Sequence, residues 1–222
     1  MKIGFIVAME NEYEPFLSKL GKCVRTERIA GTEFCVYASA ERQIILAKCG
    51  IGEIAASAAT ALLIGVFACD YIVNFGLVGS LGDKPLHSLV AVKDVVHYDC
   101  DLTAFGNPLG MPAGLNAVFF SSDAAALESV LSTLPPVRLA SGDKFVSNIA
   151  LKSKLVSDFS ADICDMEGAG IAITCTRSNV PFSMIKLVSD AADDNAAITF
   201  TESKSRAFSA AVDLVFKLLL CK

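Results

Sequence analysis

Short runs of apolar residues recur along the chain and predict β-strands. Several runs are apolar at nearly every position, which is typical of strands that are covered on both faces. The predicted strands are Ile3–Val7, Phe34–Ala38, Ile44–Lys48, Tyr71–Phe75, Val90–His97, Val137–Ala140, Ile163–Asp165 and Phe182–Val188.

Between these runs, apolar residues recur at helical spacing. Helices are predicted at Glu10–Leu20, Gly52–Val66, Ser122–Leu134, Ala169–Arg177 and within Thr201–Leu220. The alternation of strands and helices predicts an α/β fold with a mostly parallel sheet. Because Phe34–Ala38 and Ile44–Lys48 follow each other across a short connection, we expect a hairpin there and therefore a mixed sheet.

The composition predicts one compact domain spanning residues 1–222. Of the 222 residues, 53% are hydrophobic and 19% are charged, and no repeat or Pro/Ser-rich linker interrupts them. A net charge of −5 argues against nucleic acid and anionic membrane as partners. Of the two long uncharged runs, Ile54–Cys69 is too short to span a bilayer, and Leu102–Ser122 is broken by Pro and Gly.

Cysteine and histidine usage argues against a metal site. The eight Cys are scattered through apolar segments without a Cys-x-x-Cys pair, and there are only two His. We therefore expect no metal, no cofactor and a cytoplasmic protein whose Cys are small core residues. The N-terminus runs directly into a predicted strand, so no secretory signal is expected.

Acidic residues follow three of the predicted strands at their carboxyl ends. Glu12 comes shortly after the first strand, Glu167 follows Ile163–Asp165, and Asp190 follows Phe182–Val188. In open α/β sheets ligands bind beyond the carboxyl ends of the strands. We therefore expect these three carboxyls to meet at one rim.

Each acidic residue also has a simpler interpretation. Glu12 could complement a helix dipole, Glu167 could cap a helix, and Asp190 could belong to a turn. The glycine-containing segment Gly76–Gly82 is predicted as a loop after a strand. It matches neither the dinucleotide nor the ATP phosphate-binding pattern, although its backbone could approach a ligand closely.

Six segments, in this order, resemble the 5'-methylthioadenosine/S-adenosylhomocysteine nucleosidases of the purine nucleoside phosphorylase superfamily. They are MKIGFIVAMENE at the start, CGIGEIAASAATALL from Cys49, DCDLTAFG from Asp99, SGDKFV from Ser141, CDMEGAGIA from Cys164 and VPFSMIKLVSDAADD from Val180. The resemblance implies a three-layer α/β/α sandwich with a mixed, barrel-like central sheet, and a homodimer. It implies hydrolysis of adenine nucleosides to adenine and a ribose derivative, as in methionine salvage.

The resemblance also implies roles for individual residues. Asp190 is expected to protonate adenine, Glu12 to activate the hydrolytic water, and Glu167 to hold the ribose hydroxyls. The other expected contacts are Met166 on the sugar, Phe145 stacked on the base, the Val146 backbone at the adenine edge, Met9, Ile51 and Phe200 around the 5' group, Ser189, Gly76 and Leu77 near the substrate, and Phe105 in the partner subunit's site. Leu77 departs from the family pattern, in which a Ser is usual.

The physical case agrees with these roles. A purine leaves more readily when it is protonated, so Asp190 needs a pKa raised by burial and by its acidic neighbours. Two alternatives stay open. A phosphorylase would need cationic donors for phosphate, and neither Met1–Leu20 nor Asn74–Gly82 contains an Arg, which favours water. A nucleoside-binding homologue without activity is the second alternative, and Leu77 is the argument for it.

Overall fold

The computed structural model describes residues 1–38, 42–123, 131–203, 211–213 and 215–216. The strands are β1 (Lys2–Val7), β2 (Arg25–Ile29), β3 (Thr32–Ala38), β4 (Gln43–Lys48), β5 (Tyr71–Ser80), β6 (Leu89–His97), β7 (Phe119–Ser121), β8 (Pro136–Ser141), β9 (Ile163–Asp165) and β10 (Phe182–Asp190). The helices are α1 (Glu10–Leu20), α2 (Glu53–Gly65), α3 (Ile149–Phe159), α4 (Gly168–Ser178) and α5 (Ala196–Ser203), with a 3-10 helix at Thr103–Phe105.

Five strands close into a barrel-like ring, and the others extend it. β5 pairs with β10 and β9, β10 pairs with β6, and both β6 and β9 pair with β8, which completes the ring. From β5 the sheet continues through β1, β4, β3 and β2. β1 is parallel to its neighbours, whereas β3 and β4 form an antiparallel hairpin. The predicted α/β fold, its mixed sheet and its hairpin are therefore confirmed.

Helices cover both faces of the sheet, which gives the three layers expected from the resemblance. On one face, α2 and α4 contribute Leu63 and Ile171 to the core that contains Ile6. On the other face, α1 contributes Phe16 to the core that contains Phe5. Adjacent residues of β1 thus enter different cores, because side chains alternate along a strand. That residues 1–222 form one domain stays a prediction.

The structure contains elements that the apolar pattern does not reveal. β2 is mostly exposed, and β7 has only three residues, so neither forms an apolar run. α3 begins after Asn148, whose side-chain oxygen accepts a hydrogen bond from the Leu151 N–H at 2.8 Å. Much of the predicted helices Ser122–Leu134 and Thr201–Leu220 lies outside the described residues. No helix within the described ranges is long and apolar enough to cross a membrane.

The prediction of a loop at Gly76–Gly82 is wrong for most of that segment. β5 continues through Ser80, and all of its residues are buried. Its far end pairs with β10 on one edge and with β9 on the other, so the strand has backbone partners on both sides. A Cβ at Gly79 would lie 2.9 Å from Asp190 Oδ1. The glycine therefore gives room to a neighbouring carboxyl instead of ending the strand.

Candidate active site

A cavity of about 250 Å³ lies at the carboxyl ends of β1, β9 and β10. This volume is close to the lower end of the roughly 300–1,000 Å³ typical of small-molecule sites. The predicted residues that line it are Met9, Glu12, Ile51, Leu77, Phe145, Val146, Met166, Glu167, Ser189, Asp190 and Phe200. The structure thus brings the three carboxyls together where the carboxyl ends of the strands meet.

Glu12 lies in the first turn of α1 and is only 1% exposed. Its Oε2 accepts hydrogen bonds from the N–H groups of Ala8 and Met9, each at 2.9 Å, and its Oε1 accepts one from the Leu77 N–H at 3.1 Å. The carboxyl therefore supports the helix start and also reaches β5. Burial raises the pKa of Glu12, and the three backbone donors and Lys186 oppose the rise.

Glu167 lies between β9 and α4. Its Oε1 accepts a hydrogen bond from the Gly52 N–H at 3.0 Å, which ties it to the start of α2. Burial and the neighbouring Asp165 raise the pKa of Glu167 to about 7, while Lys186 and the bond from Gly52 oppose the rise. Its surroundings therefore favour the protonated form more than those of an exposed Glu do.

Asp190 ends β10 and is 2% exposed. Its Oδ2 accepts a hydrogen bond from the Ser189 hydroxyl at 2.8 Å, and its Oδ1 accepts one from the Ala192 N–H at 2.9 Å. Burial raises the pKa of Asp190, and the charge of Asp193 raises it further. The raised pKa agrees with expectation. The like charge that contributes to it is Asp193 and not, as expected, the other two acids of the cavity.

Two aromatic side chains lie at the cavity. The rings of Phe145 and Phe200 meet edge to face, with 5.7 Å between their centroids and 67° between their planes. Phe145 is 42% exposed, whereas its neighbour Val146 is buried. A partly exposed ring beside an apolar wall provides a surface on which a planar base can stack.

Comparison with known proteins places the chain in a family. The phosphorylase superfamily matches residues 2–220. The chain is 35% identical over 211 residues to the 5'-methylthioadenosine/S-adenosylhomocysteine nucleosidase of Shewanella pealeana, and the match covers 91% of each chain. The chain belongs to this nucleosidase family, within the phosphorylase superfamily.

Solved structures of nucleosidases have the same fold. The Helicobacter pylori nucleosidase superposes with a TM-score of 0.93 at 29% identity, over 99% of this chain and 97% of that one. The nucleosidase of Neisseria meningitidis, in complex with methylthio-immucillin-A, superposes with a TM-score of 0.91 at 30% identity, over 98% of both chains. The family resemblance seen in the six segments is confirmed.

Two predicted contacts of the nucleosidase site do not line the cavity. Gly76 lies behind its wall, where a Cβ would be 3.5 Å from Lys186 Nζ and 3.6 Å from Glu12 Oε1. Its expected contact with the substrate stays a prediction. Phe105 lies in the 3-10 helix and is 82% exposed. Its expected contact with a partner's site stays a prediction.

The resemblance predicts a Ser at the position of Leu77. Its side chain lines the cavity and is 8% exposed. The hydrogen bond to Glu12 comes from the Leu77 backbone N–H, which does not depend on the side chain. A Leu in place of a Ser therefore makes this part of the wall apolar, and the hydrogen bond from the backbone to Glu12 remains.

Sequence reasoning missed a buried ion pair at the cavity, formed by Asp165 of its lining and Lys186. Lys186 Nζ lies 2.6 Å from Asp165 Oδ2, and both side chains are 1% exposed. Burial alone would lower the pKa of Lys186, but Asp165, Glu167 and Glu12 outweigh burial and raise it. A lysine inside an apolar strand is a signal that could have revealed the pair, because a buried charge needs a partner.

Proposed function

We propose that this chain hydrolyses the N-glycosidic bond of 5'-methylthioadenosine and S-adenosylhomocysteine, releasing adenine and a ribose derivative. The observation that carries the proposal is the convergence of Asp190, Glu12 and Glu167 on one cavity. Each of the three carboxyls has a raised pKa. The names of the family relatives support the same reaction.

Asp190 is the general acid in this proposal. Cleavage of the glycosidic bond leaves its electron pair on the purine, and a proton delivered to the base makes the base a better leaving group. The raised pKa of Asp190 favours the protonated form that this step requires. Ser189 and the Ala192 N–H fix the orientation of the carboxyl.

Glu12 and Glu167 act on the sugar side. The sugar develops positive charge as the bond breaks, and an ionised carboxyl nearby stabilises that charge. Glu167 holds the ribose hydroxyls, with Met166 against the sugar. Glu12 accepts a proton from the attacking water, and its backbone hydrogen bonds hold it in position for that step.

The charges around the cavity favour water over phosphate as the nucleophile. A phosphate dianion needs several cationic or backbone donors. Among the described residues that line the cavity, Lys144 is the one cation. Lys186 lies behind the wall and is paired with Asp165. The acidic lining would repel a dianion.

The other cavity residues contact either the base or the 5' substituent of the nucleoside. Phe145 stacks on the base and the Val146 backbone meets its edge. Met9, Ile51 and Phe200 surround the 5' substituent, and their apolar side chains suit a thioether there.

We also propose that the chain acts in the cytoplasm as a homodimer and serves methionine salvage.

Adenine release from 5'-methylthioadenosine, measured with and without phosphate, tests the reaction. We expect the same initial rate in both, because water is the nucleophile. A rate that requires phosphate would indicate a phosphorylase. Equilibrium binding without release would indicate a nucleoside-binding homologue. A series with S-adenosylhomocysteine, 5'-deoxyadenosine and adenosine then ranks the 5' groups.

A further inference from the structure

Two buried carboxyls next to Glu167, those of Glu53 and Asp165, are linked through the Ser141 hydroxyl. The proposed reaction assigns no role to this chain of hydrogen bonds. The hydroxyl oxygen of Ser141 lies 2.5 Å from Glu53 Oε1 and 2.5 Å from Asp165 Oδ1. All three residues are buried. A hydroxyl has one proton to donate. If both carboxyls were ionised, the Ser141 hydroxyl could donate to only one of them. A lone pair of its oxygen would then face the other carboxylate at 2.5 Å. One of the two carboxyls must therefore carry a proton.

The other hydrogen bonds place that proton on Glu53. Asp165 accepts a hydrogen bond from Lys186 Nζ at 2.6 Å and one from the Gly168 N–H at 3.1 Å, so both of its oxygens serve as acceptors. Among the described residues, Glu53 accepts one further hydrogen bond, from the Gly170 N–H to Oε2. In the arrangement that satisfies every group, Glu53 Oε1–H donates to Ser141, and Ser141 donates to Asp165.

We propose that Glu53 is a positioning residue whose retained proton keeps Asp165, Lys186 and Glu167 in their working arrangement. The proton does not go to the substrate. It maintains a chain of hydrogen bonds from Glu53 through Ser141 and Asp165 to Lys186. The inference rests on the proposed function and adds that ionisation of Glu53 limits activity at alkaline pH.

Glu53 acts on Glu167 by two routes. The first is the chain through Ser141 and Asp165, which lies close to Glu167. The second is the start of α2, because Glu53 follows Gly52, whose N–H binds Glu167 Oε1. An ionised Glu53 could no longer donate a hydrogen bond to Ser141, and its charge would repel Asp165. Both effects would shift the carboxyl of Glu167, which holds the ribose.

The groups around Glu53 make its ionisation unfavourable. Asp165 faces it from β9 and Glu167 from the loop before α4. Asp143, after β8, accepts a hydrogen bond from the Glu53 N–H at 2.8 Å. Tyr98, after β6, is also close enough for a charge on Glu53 to raise the pKa of Tyr98. Lys186 reaches this group only through Asp165.

The pKa of Glu53 agrees with this assignment. Burial, followed by the charges of Asp165 and Glu167, raises it to about 8, while the contact with the Ser141 hydroxyl and the hydrogen bond from the Gly170 N–H oppose the rise. Gln is the matched substitution for the protonated form. Its amide N–H can donate to Ser141 and its oxygen can accept from Gly170.

The test compares the pH profiles of kcat/KM for 5'-methylthioadenosine in wild type and Glu53→Gln. Above pH 8 the kcat/KM of wild type should fall more steeply than that of Glu53→Gln, because one additional group, Glu53, loses its proton. The difference in slope should be about tenfold per pH unit. Glu53→Gln should keep most of its activity at pH 7, and Glu53→Ala should lose it. Glu14→Gln, at an exposed position on α1, controls for the lost charge and should follow wild type. Superimposable profiles for wild type and Glu53→Gln would overturn the proposal.

Thermal unfolding as a function of pH tests the proton itself, independently of activity. Glu53 has a higher pKa in the folded chain than in the unfolded one, so its contribution to stability is full at acidic pH and is lost as the pH rises to about 8. The Tm of wild type should therefore fall more steeply over this range than that of Glu53→Gln. Equal slopes would show that Glu53 holds no proton. If adenine release fails altogether, the proposed reaction is wrong and this comparison still decides the site of the proton.

Discussion

At the scale of the residue, Asp190 differs from Glu12 in the way its carboxyl is held. Glu12 accepts three backbone N–H hydrogen bonds, all of which favour the ionised form. Asp190 accepts one backbone N–H and one hydroxyl, and Asp193 raises its pKa further. Of the two, Asp190 is better suited to keep a proton and Glu12 to accept one. These different surroundings support the proposed assignment of acid and base.

Asp190→Asn should lower kcat by at least ~100-fold, because the amide keeps the shape but cannot transfer a proton. Binding of 5'-methylthioadenosine should be largely unchanged. Adenine release and equilibrium binding, measured on the same preparations, give the two values. Asp194→Asn makes the same chemical change at an exposed position nearby and should behave as wild type. Near-normal release by Asp190→Asn would refute the acid role.

At the scale of the element, the contact between α2 and α4 depends on a glycine. A Cβ at Gly170 would overlap the Glu53 carbonyl oxygen and lie 2.9 Å from Glu53 Oε2. α4 can therefore donate the Gly170 N–H to Glu53 only because this position has no side chain. Gly170 is therefore required both for the hydrogen bond to Glu53 and for the close packing of α2 against α4.

Gly170→Ala should destabilise the fold by about 1–3 kcal/mol through overpacking, which lowers the Tm by roughly 2–4 °C per kcal/mol for a chain of this size. Gly65→Ala is the matched control, because Gly65 is in α2 and a Cβ there would meet nothing within 4 Å. Thermal unfolding of both variants measures the difference. Equal melting temperatures for the two would contradict the packing argument.

Elements that form apolar runs could be predicted from sequence, whereas features that depend on distant partners could not. β1, β6 and β10 each contain a run of mostly apolar residues, and this pattern suffices to predict a strand. The sequence predicts too short a β5, because Gly76 and Gly79 are typical of loops, and the close contact of Gly79 with Asp190 is visible only in the fold. Glu53 looks like an ordinary acid in a first helical turn, and its partner Ser141 is 88 residues away in sequence. The three cavity acids were found because strand ends share an edge.

At the scale of the whole molecule, the segment Leu102–Gly114 indicates a further contact surface. It contains no charged residue, and Phe105 within it is 82% exposed. An apolar segment with a large exposed aromatic side chain is typical of an interface. This supports the proposal that it packs against a second copy of the chain.

Sedimentation at micromolar concentration should therefore find dimers. Phe105→Asp should weaken the dimer at least tenfold, since aromatic side chains often contribute about 2 kcal/mol or more to an interface. It should also lower activity if Phe105 completes the partner's site. Val24→Asp is a control at another exposed apolar position and should leave the dimer intact. A monomeric wild type would refute the assembly.

The closed ring of strands has a consequence for hydrogen exchange. The amides of β5 are buried and paired on both edges, so they should exchange only when the whole chain unfolds. Among the strands that the structure describes, β2 pairs with β3 alone, and it is mostly exposed, so it should exchange first. Nucleoside binding should slow exchange around Ile51 and Phe145 and leave β5 unchanged. The cavity then has a rigid floor, and the opening that admits nucleoside and releases adenine takes place at its exposed rim.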